Sequence, residues 1–338
     1  MTGEIVGRYT GRSIAATLLT AAATVIAPLG AAGSAAADPV GFTKTTLHFG
    51  VLVGSNRDVP CNIVGDVYKP DTASASHRVP AVLMTNGFGG SKNDLVGMAS
   101  YLASKGYAAL AYSGLGFGGS GCKISMDNPE FDGRAAGELV SFLGGRDGIA
   151  FADSALTLPV AGLDYVIQDV TAHNGVAEAH DPRVGIVGGS YGGGVQFAAA
   201  SVDPRIDTII PMITWNDLSY SLTPNTIGTT SGVSSDVPGA TKLLWSLIFG
   251  ADGTANPGME GYAQDPARAL GCPNFVDAAC PTLAQTAVAG FPDPAAVEFL
   301  RQSSVATYMS RVTIPVLLMQ GQQDTLFGLN EAKATFEA

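Results

Sequence analysis

"VGIVGGSYGGGVQ", Val184–Gln196, sets six glycines around a single serine, directly after Asp181-Pro182-Arg183. In the interior of a helix or strand each glycine costs roughly 0.5–1 kcal/mol relative to alanine. The cluster therefore predicts a backbone geometry that side chains would obstruct. Val184–Val187 reads as a buried strand, and the segment after the serine reads as a helix. In a G-x-S-x-G elbow the serine sits on a sharp, strained turn between the two, and its flanking glycines, here Gly188 and Gly192, let the backbones approach. Ser190 would then stand above the carboxyl ends of parallel strands, where open α/β sheets hold their sites. The bland alternative is a glycine-rich turn with a solvent serine. A phosphate-binding loop is disfavoured, because neither a Lys-Ser/Thr ending nor a dinucleotide fingerprint is present.

Outward from the elbow, strand-like and helix-like segments alternate. "TTLHFGVLV" (45–53) and "NIVGDVYKP" (62–70) read as an antiparallel pair, whereas "PAVLMT" (80–85) and "YAALAY" (107–112) read as short apolar strands. Between the last two, Leu95, Met98, Ala99 and Leu102 lie at helical spacing and Gly106 supplies a left-handed end. A strand, helix, strand unit of this length implies a right-handed crossover and a mostly parallel sheet with flanking helices. Leu163, Val166, Ile167 and Val170 predict a further helix before the elbow strand.

An acyl-transfer nucleophile needs two donors for the developing oxyanion. The Tyr191 N–H is one. The loop Asn86-Gly87-Phe88-Gly89-Gly90-Ser91 after "PAVLMT" offers the Phe88 N–H as the other, against the plainer reading of a flexible turn. A last apolar strand, Val316–Met319, leads through Gln320-Gly321-Gln322-Gln323 to Asp324, which has the position of the triad acid in the order Ser, acid, His. Asp203 and Asp217 also follow the serine, but Asp203 reads as capping the elbow-helix region and Asp217 sits where a cap insertion would begin.

The 338 residues are 46% hydrophobic and 14% charged, enough for a large core and unlike a disordered tail. Net charge is -11 with Lys and Arg scattered, which argues against a nucleic-acid partner. Arg8 and Arg12, an uncharged stretch from Ser13 and the small run Ala35-Ala36-Ala37 predict a signal peptide over 1–37, with the mature protein secreted or held at the cell envelope. A permanent membrane anchor is the rival, disfavoured by Pro28. Four cysteines then suggest two disulfides. Cys272 and Cys280 bracket a short segment, which leaves Cys61 for Cys122; no C-x-x-C pair or His cluster supports a metal.

The run from Asp181 to Leu222, with "NGFGGSKNDL" before it and "IPVLLMQGQQDTLFGLNEA" after it, resembles secreted actinobacterial α/β-hydrolases of the Xaa-Pro dipeptidyl-peptidase and cocaine esterase family. The resemblance covers most of the chain beyond residue 45. It implies an α/β-hydrolase core formed by 38–212 and 313–338, a helical cap over 213–312, and hydrolysis of an ester or amide of a small molecule or peptide through a serine. No metal or organic cofactor is implied. Asn86 departs from the histidine that commonly opens the oxyanion loop. Trp215, Tyr220, Trp245 and Phe249 read as an apolar acyl pocket or as packing.

The catalytic histidine is missing from its place. His48, His77, His173 and His180 all precede the serine, and none of the fourteen residues after Asp324 is a histidine. The expectation is a chain that is truncated before its last strand and its catalytic histidine, so that the fragment alone would be nearly inactive. An acyltransferase and a non-catalytic secreted binding protein on the same fold are the alternatives.

Overall fold

β-Branched and aromatic residues at alternate positions draw the first two strands together. In the computed structural model, which describes residues 39–225, 233 and 237–338, β1 (Phe42–Val53) and β2 (Val59–Pro70) pair antiparallel from Phe42 opposite Pro70 to Val53 opposite Val59. Leu47, Phe49, Val51 and Val53 share the buried face, the two-residue period of a pleated strand. The predicted leader lies outside the described residues.

The parallel half follows. β3 (Ala81–Thr85) and β4 (Ala108–Tyr112) run parallel and are joined by α1 (Val96–Ser104); Gly106, at φ +89°, turns the chain out of the helix. The next crossover is α2 (Arg134–Leu143), which is followed by the short antiparallel strands β5 (Ala150–Phe151) and β6 (Pro159–Val160). Then come β7 (Val184–Gly189), α3 (Tyr191–Ala200) and β8 (Thr208–Met212). The sheet order is β6-β5-β1-β2-β4-β3-β7-β8, with β4, β3, β7 and β8 mutually parallel. Val316–Met319 lies parallel beside β8 through bridges at Ile209–Val316 and Met212–Met319, so the predicted strand takes the edge position.

The helix expected at Leu163–Val170 does not form. Val79 and Val166 make a parallel bridge instead, with the Ile167 N–H donating to Val79 O at 3.0 Å. Val166, Ile167 and Val170 are β-branched and favour extended backbone, and Val170 points to solvent. The helical crossover is supplied upstream by α2, entered through a π-turn at Pro129–Gly133.

Between β8 and the edge strand stand α4 (Leu218–Leu222), α5 (Leu243–Ala255), α6 (Gly258–Gln264), α7 (Ala279–Ala289), α8 (Pro294–Arg301) and α9 (Val305–Tyr308). Asp217 and Asp293 cap α4 and α8 by accepting backbone N–H groups. The chain closes with α10 (Leu329–Glu337). Its buried Glu331 accepts the N–H groups of Asn216 and Asp217 at 2.8 and 3.2 Å and the Ser221 hydroxyl at 2.6 Å. That carboxylate ties the last helix to the start of the helical segment. No helix among the described residues is long and apolar enough to cross a membrane.

Both disulfides form as expected, Cys61–Cys122 and Cys272–Cys280. The first joins positions 61 residues apart and ties β2 to the loop after β4. Loop-closure entropy makes it the stronger brace. Cys61→Ser with Cys122→Ser is expected to cost about 2–4 kcal/mol, read as a fall in Tm, and Cys272→Ser with Cys280→Ser less. Equal losses would contradict the loop-length argument.

Candidate active site

The serine of the opening motif is at the junction of β7 and α3, with φ +56° and ψ -121°. A non-glycine residue pays roughly 1–3 kcal/mol for such a conformation and keeps it only where its surroundings impose it. They do. The Ser190 N–H donates to Met212 O at 2.9 Å, and its carbonyl accepts from Gly193 and Gly194 N–H at 2.8 and 3.0 Å. A Cβ on Gly188 would stand 2.7 Å from Gly192 O, one on Gly192 2.5 Å from Thr85 O, and one on Gly193 2.8 Å from Met212 O. Those glycines are required because backbone passes where side chains would be. The hydroxyl-bearing residue itself is half-buried.

The loop after β3 lies against this turn: a Cβ on Gly87 would be 3.8 Å from Ser190 Cβ. Asn86, fully buried, braces the loop by accepting the Gly114 N–H at 2.9 Å and donating to Gly87 O at 2.8 Å. At the position where the resemblance leads one to expect a histidine, asparagine thus acts as a loop brace. Downstream, Ser91 and Asp94 form a reciprocal capping box. From the far side Asn256 at the end of α5 donates to Gly89 O at 2.8 Å and accepts the Gly118 N–H at 3.0 Å. At the first position of α3 the Tyr191 N–H has no intrahelical acceptor.

Below the elbow is a polar cluster that sequence reasoning missed. The Tyr191 hydroxyl accepts the Asp127 N–H at 3.1 Å and donates to Asp132 Oδ2 at 3.4 Å, and the same oxygen accepts the Ser125 hydroxyl. Asp127 and Asp132 are buried. Burial pushes the Asp132 carboxyl up to about 7, and burial with the neighbouring Asp132 holds Asp127 well above the usual carboxylate range. The Val195 N–H offsets part of that rise at Asp127. Native Asp132 keeps its proton to about pH 7, whereas an unfolded aspartate releases it near pH 4 (~3.9). The native state therefore binds more protons across that window, and its stability falls as pH rises through it. Asp132→Asn, which keeps an acceptor, is expected to flatten the decline of Tm between about pH 5 and pH 7.5; an unchanged slope would contradict the assignment.

Asp324 follows the edge strand, two strand positions from β7, roughly 10 Å by strand spacing. Its Oδ1 accepts Leu326 and Phe327 N–H at 2.8 and 2.9 Å. Phe327 packs 5.3 Å from Trp215, itself 6.5 Å from Tyr191, so rings link the two turns. The rival acids are engaged elsewhere: Asp203 with Arg205, and Asp217 with the α4 terminus and Arg301. No histidine joins Ser190. His48 is in β1, four strands from β7, roughly 19 Å away. His77 lies in the turn before β3, His173 pairs with Asp207 at 3.2 Å just before β8, and His180 Nδ1 lies 3.1 Å from Gly144 O. The last three are at the amino ends of the parallel strands, opposite the serine.

The helical segment is anchored to the loop after β4 by a buried cation. Arg268 donates to Ser120 O at 3.0 Å and Gly116 O at 2.8 Å, and Asn274 donates to Gly116 O at 3.0 Å and Gly253 O at 2.6 Å. Trp215 and Tyr220, read as pocket or packing, are packing: Trp215 Nε1 donates to Ser303 O, and Tyr220 OH accepts from Asn330. Phe249 instead joins Phe88, at 5.0 Å between ring centres.

Similar folds recur among solved structures. An α/β hydrolase, GrgF, from a Penicillium species is 15% identical, covering 87% of this chain and 86% of its own, with TM-score 0.46. An acetyl xylan esterase from a Paenibacillus species is 15% identical, covering 90% and 79%, with TM-score 0.44. No curated protein matches the chain. A family model described as X-Pro dipeptidyl-peptidase matches residues 61–338, a span that holds the elbow, the loop after β3 and Asp324, and the chain is a hydrolase with an α/β-hydrolase fold that belongs to the X-Pro dipeptidyl-peptidase (S15) family.

Proposed function

We propose that this hydrolase is a secreted serine enzyme that cleaves an ester or amide through an acyl-enzyme on Ser190. The observation that carries the reading is the strained Ser190 backbone at the β7–α3 junction, φ +56°, enforced by backbone contacts at Gly188, Gly192 and Gly193. Ser190 Oγ attacks the carbonyl carbon, and the Tyr191 and Phe88 N–H groups hold the oxygen as it becomes negative. A histidine oriented by Asp324 takes the serine proton and returns it to the leaving group, and water then resolves the ester. None of the four histidines described above fills that role. The core of 38–212 and 313–338 with a cap over 213–312 is supported by the edge strand beside β8 and the helices between. Two disulfides support secretion.

The test is a panel of activated esters and Xaa-Pro amides given to the protein, with and without an added alcohol acceptor. A burst of leaving group followed by steady release of free acid is the expected result. Transfer to the alcohol in preference to water would replace hydrolysis by acyl transfer, and absence of any burst would count against the acyl-enzyme.

A further inference from the structure

A cavity of about 120 Å³ lies among α5, α7 and α8. We infer that it binds a compact, uncharged apolar group, and that its occupancy is felt at the loop carrying Phe88. Phe249, Phe275, Leu283, Leu300 and Met126 form its apolar walls, and the Cys272–Cys280 disulfide closes one side. No charged side chain lines it, so an ammonium or carboxylate entering it would lose hydration without a counter-charge. Size sets the rest. An apolar protein cavity of about 150 Å³ stays dry and accepts benzene, so this one suits a single ring or a branch of about six carbons.

Thr223, Ser246 and Thr286 donate their hydroxyls to backbone carbonyls within their own helices or turns.

Ser190, Phe88 and Tyr191 do not line the cavity. Its inner wall is nevertheless the outer face of their ring cluster: Phe88 lies 5.0 Å from Phe249, 6.2 Å from Phe275 and 5.7 Å from Tyr191 between ring centres. An apolar group seated here would fix Phe249 and Phe275, and with them the ring beside the proposed oxyanion donor. The group has two sources, a free ligand or the acyl chain of the substrate reaching past Phe88. Only the coupling to Ser190 rests on the serine-hydrolase reading; the binding does not.

Trp245 stacks on Phe249 at 5.7 Å and reports occupancy without turnover. Toluene, hexylammonium and hexanoate are titrated against the chain while Trp245 emission is followed, with Trp245→Phe identifying the signal. Saturable binding of toluene alone is expected. Ala279→Leu, which extends a lining side chain inward, is expected to weaken toluene about tenfold or more, and Leu283→Ala to admit naphthalene, which the unaltered chain refuses. In the second arm the protein is labelled with ethyl and hexyl fluorophosphonates, with and without toluene. Toluene altering the ethyl rate assigns the site to a free ligand; hexyl labelling faster than ethyl, with toluene competing against hexyl alone, assigns it to the acyl chain. No saturable toluene response, an equal response to the two ions, or variants that leave toluene and naphthalene unchanged would overturn the site. Labelling of both probes that ignores toluene and chain length would overturn the coupling. Failure of any probe to label would overturn the serine-hydrolase reading and leave the binding result standing.

Discussion

Ser190→Ala is expected to lower ester turnover by about 10⁶-fold, the loss seen when a hydrolase nucleophile is removed, with Tm almost unchanged. Alanine keeps the Cβ, and the contacts that impose the strained backbone are made by main-chain atoms: Ser190 N–H with Met212 O, and its carbonyl with Gly193 and Gly194. Activity and stability are therefore separable at this position. Where a stabilised fold is all the glycine cluster provides, the variant would keep its turnover. A large fall in Tm would show that the hydroxyl itself holds the turn. Cysteine is the informative second substitution, since a thiol at the same place can still take an acyl group.

Gly192→Val is expected to cost stability directly, by about 3 kcal/mol or more, at the upper end of what overpacking does. A Cβ there would lie 2.5 Å from Thr85 O and 3.1 Å from Asn86 O. Both are backbone atoms at the root of the loop after β3, so relief requires moving that loop away from Ser190. The folded fraction of the variant is expected to react more slowly with an activated ester as well. Gly97→Ala is the control, because nothing lies within 4 Å of a Cβ there and alanine favours the helix by roughly 0.8–1 kcal/mol. Thermal denaturation of the pair checks both: valine at 192 lowering Tm, alanine at 97 leaving it equal or raised. Equal Tm values for Gly192→Val and the unaltered chain would remove the close-packing argument.

How much of this was legible in the sequence follows from how local each feature is. The elbow was readable because its demands fall on thirteen consecutive residues: a β-branched strand, glycines on both sides of the serine, then a helix. The antiparallel pair and the strand, helix, strand unit were readable for the same reason. The Leu163–Val170 segment misled because leucine, valine and isoleucine at i, i+3, i+4 and i+7 fit a helix, while its β-branched content fitted the extended pairing with Val79 that it adopts. What remained hidden depends on residues far apart in the chain. Tyr191 finds Asp132 across 59 positions, and Arg268 finds Gly116 across 152. Asn86, seen as a departure from a family pattern, takes a role that only its buried bond to Gly114 N–H reveals. A signal for the buried pair did exist: two aspartates in "SMDNPEFDG", among residues that otherwise read as a turn, but nothing local marked them as facing the elbow helix.

One atom, the hydroxyl oxygen of Ser190, carries the proposed chemistry. The measurement that reaches it most directly is peptide mapping by mass spectrometry after the protein is inhibited with a fluorophosphonate. The account predicts a single phosphonylated peptide containing Val184–Gln196, with the added mass on Ser190 and its appearance matching the loss of esterase activity. Inhibition with the adduct on another serine, such as Ser91 or Ser113, or hydrolysis that continues while Ser190 is fully modified, would contradict it.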